Sequence, residues 1–167
     1  MKKQFEKYIS DYGVSLTKLC LSLTNNQNDA KDLYQATWEK AMRKYKRYDK
    51  SKPFDKWLYT ICVNTYRDEL RRFDKKNVLD FKSDEEKERF LSSIPYEEVD
   101  HDEYIALYDA MKILSADLKE VLVLFYFKDY SVKELSEILS IPEGTIKSRL
   151  NRARNKLRKE LDCNDTK

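Results

Sequence analysis

The chain has 167 residues, of which 41% are hydrophobic and 38% are charged, and its formal net charge is only +3. This length accommodates one ordinary domain or two small helical ones, and the charged fraction is high for a compact enzyme. With only two glycines and three prolines, a strand-rich fold with many tight turns is disfavoured. The sequence also lacks an apolar run long enough to span a membrane and an apolar signal segment, so membrane insertion and secretion are not expected.

The residue types that enzymes and metal sites need are sparse. Cys20, Cys62 and Cys163 are odd in number and scattered, which favours a reducing cytoplasm over a disulfide framework. His101 is the sole histidine, and there is no CxxC pair, phosphate-binding glycine loop or nucleophile elbow. We therefore expect no catalytic residues, no metal and no cofactor.

Charge is distributed unevenly along the chain. Residues 40–72 contain eleven basic and four acidic residues, a net of +7, whereas residues 80–103 contain ten acidic and three basic residues, a net of −7. This pattern predicts a domain over 1–73, an acidic linker over 74–102 and a second domain over 103–167. The linker is interpreted as a solvated tether, with transient shielding of a basic face as the alternative.

In the first domain, apolar residues recur at steps of three and four in three successive stretches. These stretches run from Phe5 to Leu23, from Ala30 to Tyr45 and from Phe54 to Leu70. An asparagine-rich break at 25–28 separates the first two, and Pro53 restarts the chain before the third. Because no strand-type alternation competes with this periodicity, we predict an all-α fold of two small domains.

Helical signals continue after the linker. One helix is predicted over 104–114, and Ser115 is suited to cap another that runs to about residue 127. A capping box then pairs Ser131 with Glu134 three residues later, which begins a further short helix.

The end of the chain has the pattern of a helix-turn-helix. The turn Leu139–Ile141 leads to Pro142, which suits the first position of a basic helix extending to Leu161. In such motifs the second helix enters the DNA major groove, and Gly144 would let a phosphate approach its N-terminus. Many such turns have glycine where Ser140 stands, so strain is expected there. The candidate DNA contacts are Glu143, Gly144, Thr145, Lys147, Ser148, Arg149 and Arg152. The alternative is an amphipathic surface helix.

Basic and aromatic residues alternate through residues 29–72. Cations follow a nucleic-acid backbone and aromatic rings stack on unpaired bases, so the composition fits single-stranded nucleic acid. Trp38, Phe54 and Trp57 are expected in the core because of their helical spacing. Tyr48, beside the Pro53 loop, is the better candidate for a base contact.

Two sequence blocks resemble a known family. The stretch DLYQATW and the later F-x-x-W-L-Y-x-I-x-x-N-x-x-x-D-x-x-R-R resemble region 2 of bacterial RNA polymerase sigma factors. The block from LKEVLVLFYF to the final helix resembles region 4. Together they cover about 120 of the 167 residues and are similar to the extracytoplasmic-function (ECF) group of the sigma-70 family.

The resemblance implies a dissociable sigma factor that binds core RNA polymerase at its clamp helices and flap tip. Promoter DNA would be bound as duplex at the −35 element and as single strand at the −10 element, and an anti-sigma factor would control the protein. The implied polymerase-binding residues are Asp32, Leu33, Gln35 and Glu39. The implied −10 residues are Tyr48, Lys52, Lys56, Asn64, Arg67, Asp68, Arg71 and Arg72. Asp68 is alternatively a partner that orients Arg71 or Arg72.

Some positions depart from the family pattern, and other functions remain open. Ala36, Thr60, Ala116 and Ser136 replace residues that are frequent in the family, which bears on promoter specificity rather than on class. The alternatives are a stand-alone regulator that uses only the helix-turn-helix, a divergent sigma-like activator of a restricted gene set, and an enzyme.

Overall fold

The computed structural model describes residues 2–24, 26–75 and 111–164. The helices are α1 (Lys2–Thr24), α2 (Gln27–Lys44), a 3-10 turn (Tyr45–Arg47), α3 (Phe54–Lys75), α4 (Ala116–Phe127), α5 (Val132–Leu139) and α6 (Glu143–Asn164). Those residues contain no strand, which confirms the all-α prediction. Residues 104–110 of the helix predicted over 104–114 and nearly all of the predicted linker lie outside the part of the chain described. Within the described part, Met111 is helical and the chain turns at residues 112–114, so the helix ends earlier than predicted.

Helices α1–α3 form an N-terminal module around an aromatic core. Trp38 is fully buried and Phe54 nearly so, as the helical spacing predicts, whereas Trp57 is only half-buried. Phe54 stacks on Tyr8 with ring centroids 3.8 Å apart, which fixes the start of α3 against α1. Helix α2 begins where Asn26 accepts a 2.8 Å hydrogen bond from the Asp29 amide, an N-cap within the predicted break.

Helices α4–α6 form a C-terminal module. The predicted capping box is present: the Ser131 hydroxyl accepts from the Glu134 amide, and the Glu134 carboxylate accepts from the Ser131 amide. Ser115 occupies the N-cap position of α4, but its hydroxyl bonds to the Asp117 carboxylate instead of the backbone. The last helix begins at Glu143, one residue later than predicted. Pro142 precedes it, and the Pro142 carbonyl accepts hydrogen bonds from the amides of Thr145 and Ile146.

The turn between α5 and α6 contains the strained residue that the sequence predicts. Ser140 has φ 54° and ψ 44°, which is the left-handed conformation that glycine adopts most easily. Across the turn, the Ser136 hydroxyl donates to the Ile141 carbonyl at 2.6 Å, which holds the turn closed. The serine at position 136 therefore ties the two ends of the turn together.

The two modules pack against each other, α1 on α4 and α3 on α5. The Tyr130 hydroxyl donates to the Asp55 carboxylate at 3.0 Å, and the Tyr59 and Tyr130 rings meet at 6.3 Å between centroids. Lys119 and Lys128 cross the same boundary and donate to carbonyl oxygens of α1. Polar contacts therefore contribute heavily to the boundary between the modules.

Ser140→Gly is expected to raise the free energy of unfolding by up to about 1 kcal/mol, because glycine adopts the left-handed conformation without the steric cost of a Cβ. The same change at Ser148, inside α6, should lower it by about 0.5 kcal/mol, since glycine is a poorer helix former than serine. Chemical denaturation of the two variants checks both signs. If Ser140→Gly instead lowers the free energy of unfolding, the left-handed backbone at Ser140 is not strained.

Candidate nucleic-acid and protein interfaces

Helix α6 has one buried face and one cationic face. Ile146, Leu150 and Ala153 pack inward and are almost fully buried. Five of the predicted DNA contacts are exposed: Glu143, Gly144, Lys147, Ser148 and Arg152. Thr145 is half-buried. A side chain at Gly144 would meet no atom within 4 Å, so internal packing does not require glycine there. The space beside Gly144 is therefore open.

Arg149 differs from its neighbours on α6. Its side chain is 21% exposed, and the guanidinium lies 3.6 Å from the Asp117 carboxylate and 3.5 Å from that of Glu120. Both acids belong to α4, so Arg149 fastens α6 to α4. The interpretation of Arg149 as a phosphate contact stays a prediction.

The loop before α3 has a hydrogen-bonded frame. Asp49 accepts from both the amide and the hydroxyl of Ser51, at 3.0 and 2.7 Å, and these bonds lower the pKa of its carboxyl group. The Tyr48 hydroxyl donates to the Lys52 carbonyl, and its ring lies 4.8 Å from that of Trp57 between centroids. Tyr48 is thus half-buried and anchors the loop, whereas the Lys52 side chain is exposed.

The outer face of α3 presents polar and basic side chains. Asn64, Arg71 and Arg72 are exposed, and Arg71 reaches 76%. Asp68 lies 3.2 Å from the Lys40 ammonium and 3.9 Å from the Arg71 guanidinium. Lys40 is the nearer cation, and the alternative that Asp68 orients Arg71 or Arg72 stays a prediction.

The other two cations predicted to serve the −10 element point toward the C-terminal module. Arg67 binds Glu120 with two hydrogen bonds, Nε to Oε2 at 2.9 Å and Nη2 to Oε1 at 2.6 Å. It also donates to the Leu139 carbonyl at 3.1 Å, at the end of α5. The Lys56 ammonium lies 2.5 Å from the Glu134 carboxylate. Sequence reasoning assigned both cations to nucleic acid and missed Glu120 and Glu134 as their partners.

The predicted polymerase-binding surface on α2 needs one correction. Leu33 is fully buried, so its side chain belongs to the core and is not available to a partner. Asp32 is exposed, whereas Gln35 and Glu39 are half-buried. Glu39 also pairs with Arg43 at 3.2 Å, one helical turn later. The surface of α2 that a protein partner can reach is therefore smaller than the four predicted residues imply.

An acidic pocket of ≈ 460 Å³ adjoins Asp32. It is lined by Leu23, Thr24, Asp29, Asp32, Tyr66, Glu69 and Leu70. Burial raises the pKa of Glu69 to about 6, with smaller raising effects from the charges of Asp32 and Asp29 and lowering effects from Lys40 and Arg72. The sequence did not predict that Glu69 lies beside Asp32, because Glu69 belongs to α3 and is far along the chain from Asp32.

The apolar face of α4 packs mostly into the core. Val121 and Leu124 are fully buried. Phe125 is half-buried, and Tyr126 is 53% exposed. Arg154 donates to the Tyr126 hydroxyl at 2.7 Å and lies over both rings. Phe125 and Tyr126 are therefore the accessible part of this face.

In the part of the chain that the structure describes, no group of three histidine, cysteine or acidic residues is placed to hold a metal ion. Among the same residues, no helix is both long and apolar enough to cross a membrane.

Comparison with known proteins gives matches to both modules. Residues 8–76 match the family model described as Sigma-70 region 2, and residues 104–157 match that described as Sigma-70, region 4. The chain is 31% identical over 157 residues to the RNA polymerase sigma factor SigV of Bacillus subtilis, covering 94% of this chain and 90% of the relative. It is 30% identical over 165 residues to the ECF RNA polymerase sigma factor SigW of the same organism, covering 94% and 88%.

Solved structures share the fold over nearly the whole chain. Similarity to the sigma factor RpoE, in its co-crystal structure with the anti-sigma factor NepR from Bartonella quintana, has a TM-score of 0.71 at 25% identity and covers 96% of this chain and 98% of that one. CnrH, in complex with the cytosolic domain of CnrY, has a TM-score of 0.68 at 23% identity and covers 98% and 90%.

Glu69→Gln is expected to raise the free energy of unfolding by about 1 kcal/mol at pH 7.5, a value reduced for the partial exposure of the side chain. The folded-state pKa of about 6 exceeds the ordinary 4.5, so the buried charge destabilises the fold above pH 6 and the cost vanishes as pH falls toward 4.5. Denaturation at several pH values checks this. Glu6→Gln, on the exposed face of α1, is the control, and an equal gain at pH 4.5 would contradict the electrostatic cause.

Proposed function

The chain belongs to the ECF group of the sigma-70 family of RNA polymerase sigma factors, and from that premise we propose how its surfaces serve promoter recognition. It acts as a dissociable subunit that binds core RNA polymerase, recognises the −35 and −10 elements and initiates transcription of a restricted set of genes. The polymerase performs the chemistry. The observation that carries the proposal is that both region matches lie in order on one chain, each with an exposed polar or cationic face.

The −35 element is assigned to the exposed face of α6. Lys147 and Arg152 supply positive charge that pairs with DNA phosphates. The open space at Gly144 lets the DNA backbone approach the N-terminus of α6. Glu143, Thr145 and Ser148 supply the groups for base edges near the start of the helix, where such helices read the major groove. Arg149 contributes by holding α6 on Asp117 and Glu120, in addition to any phosphate contact.

The −10 element is assigned to α3 and the loop before it. Asn64 offers a donor and an acceptor for a base edge, while Arg71 and Arg72 supply exposed charge for phosphates. Tyr48 shapes the loop from which Lys52 projects. Stacking of an unpaired base is worth roughly 1–3 kcal/mol, which is enough to help hold a strand open.

The polymerase surface is assigned to Asp32, Gln35 and Glu39 with the adjoining acidic pocket. Because Glu69 carries its proton more tightly than an ordinary carboxyl group, a basic side chain in the pocket would offset the cost of its charge. We assign Phe125 and Tyr126 to the flap tip. Two structural relatives are complexes with the anti-sigma factor NepR and with the cytosolic domain of CnrY, and we assign an anti-sigma partner and a cytoplasmic location to this protein as well.

The decisive experiment is run-off transcription with purified core RNA polymerase on a pool of genomic promoter fragments, with and without the protein. Discrete transcripts that depend on the protein support the sigma function and supply the promoter sequences. A stand-alone regulator would instead give no transcript and would bind duplex DNA without polymerase.

Arg152→Ala is expected to weaken binding of the holoenzyme to −35 duplex and to reduce the slope of log affinity against log salt by about 0.9, the value for one released phosphate contact. Lys7→Ala, an exposed site on α1, removes the same charge elsewhere and serves as control. Filter binding over a salt series measures both, and an unchanged slope in Arg152→Ala would exclude a phosphate role.

Asn64→Ala is expected to impair promoter opening or −10 discrimination while binding to core polymerase is unchanged, because the side chain is exposed and outside the α2 surface. Permanganate footprinting reports opening, and gel filtration with core polymerase reports binding. Loss of polymerase binding in this variant would show that Asn64 has a structural role.

A further inference from the structure

The outermost side of α6 is formed by small and amide side chains. The opposite side of the helix is apolar and packs on the core through Ile146, Leu150, Ala153 and Leu157. At 3.6 residues per turn, the positions farthest from that packed side are 144, 148, 151 and 155, which follow one another at steps of four, three and four. These positions hold four exposed residues: Gly144, Ser148, Asn151 and Asn155. This uncharged ridge is the part of α6 that faces away from its own module.

Exposed cations lie on both sides of the uncharged ridge. Lys147 and Arg158 lie on one side of it, and Arg152 and Lys159 lie on the other. In duplex DNA the base edges lie in the major groove and the phosphates border it on both strands. A helix with this arrangement can turn its ridge toward the bases and its two rows of cations toward the phosphates. A helix that only faced water would not need an uncharged strip between two rows of cations.

Asn151 is the first residue of the ridge that has both a free donor and a free acceptor. The Ser148 hydroxyl donates to the Thr145 carbonyl at 3.1 Å, so its proton is used within the helix. Within the described part of the chain, the side-chain amide of Asn151 makes no hydrogen bond. Asparagine is also a poor helix former, so this exposed position gains nothing for the fold from it. An asparagine amide pairs with adenine in the major groove, where it accepts from N6 and donates to N7.

Distance along the helix separates Asn151 from Asn155. With a rise of 1.5 Å per residue, Asn151 lies about 12 Å from the start of α6 at Glu143, and Asn155 lies about 18 Å from it. The major groove is about 12 Å wide, and a recognition helix reads it with the residues near its N-terminus. Because the groove curves away from a straight helix, Asn151 lies within reach of the base edges and Asn155 lies beyond them.

We propose that Asn151 is a specificity-determining residue of the −35 contact and that it reads an adenine through the N6 and N7 atoms of the base. The proposal rests on the assignment of the −35 element to α6. The cations on both sides of the ridge hold the helix in the groove, and Asn151 selects the base. Asn155 takes no part in base recognition.

The test uses holoenzyme assembled from core polymerase and the full chain. The probe is a set of duplexes made from one protein-dependent promoter, in which the −35 stretch is randomised and the rest is unchanged. Sequencing of the bound fraction should show that the wild type prefers adenine at one −35 position by roughly fivefold to a hundredfold. Asn151→Ala should lose the preference at that position alone, and Asn151→Arg should move it to guanine.

Asn155→Ala is the matched control, because it makes the same change at an exposed asparagine one helical turn further along the ridge. It should keep every base preference of the wild type. Circular dichroism reports the folding of each variant. Asn151→Ala should melt no lower than the wild type, since alanine is the better helix former.

A change in the DNA tests the same contact from the other side. Replacing the preferred adenine by 7-deazaadenine removes the N7 acceptor and leaves the base pair intact. The affinity of the wild-type holoenzyme for this duplex should fall, whereas that of Asn151→Ala should not change, because its contact to N7 is already lost.

The proposal is overturned if no adenine preference depends on Asn151, if Asn155→Ala loses the same preference, or if 7-deazaadenine weakens the wild type and Asn151→Ala equally. Transcription from the unmodified promoter separates these outcomes from failure of the sigma function. Transcripts and −35 preferences that are the same in the wild type and Asn151→Ala overturn the role of Asn151 alone. If the wild type gives neither transcripts nor any −35 preference, the sigma function is wrong and the role of Asn151 is wrong with it.

Discussion

The arrangement of this molecule depends on one buried carboxylate. Glu120 lies on α4 with its side chain almost inaccessible, and a charge in such a position must be paired to be tolerated. Arg149 approaches it from α6 and Arg67 from α3 of the N-terminal module. A single acid therefore links α6 to its own module and that module to α3. Both candidate DNA-binding surfaces are tied to the way in which this charge is satisfied.

Local signals in the sequence predicted most of the fold. The capping box at Ser131, the break before α2 and the strained turn at Ser140 each involve residues a few positions apart, so pattern and propensity suffice to find them. Helix periodicity likewise placed Trp38 and Phe54 in the core. The start of α6 was displaced by one residue, since a proline serves equally as the last residue before a helix or the first within it.

The sequence predicted the candidate sites less completely, because they depend on contacts between distant segments. Leu33 belongs to a motif that suggests a partner surface, but the same periodicity places it in the core. Glu69 joins Asp32 only because α2 and α3 pack together. Arg149 and Arg152 look equivalent on a helix read in isolation, yet only the first faces the acids of α4. Charge, spacing and residue type cannot distinguish a cation that awaits a ligand from one already satisfied within the protein.

Lys119 and Lys128 are buried between the modules, and their proton binding is therefore coupled to the packing of the modules. Burial lowers their pKa values to about 8 from an ordinary 10.5, so a separation of the modules that exposes both lysines to water takes up protons when the pH lies between those values. Below about pH 8 both lysines are charged in either arrangement and the desolvation cost is constant. Above it, each rise in pH relieves part of that cost, so alkaline conditions favour the packed arrangement and neutral conditions leave it easiest to separate.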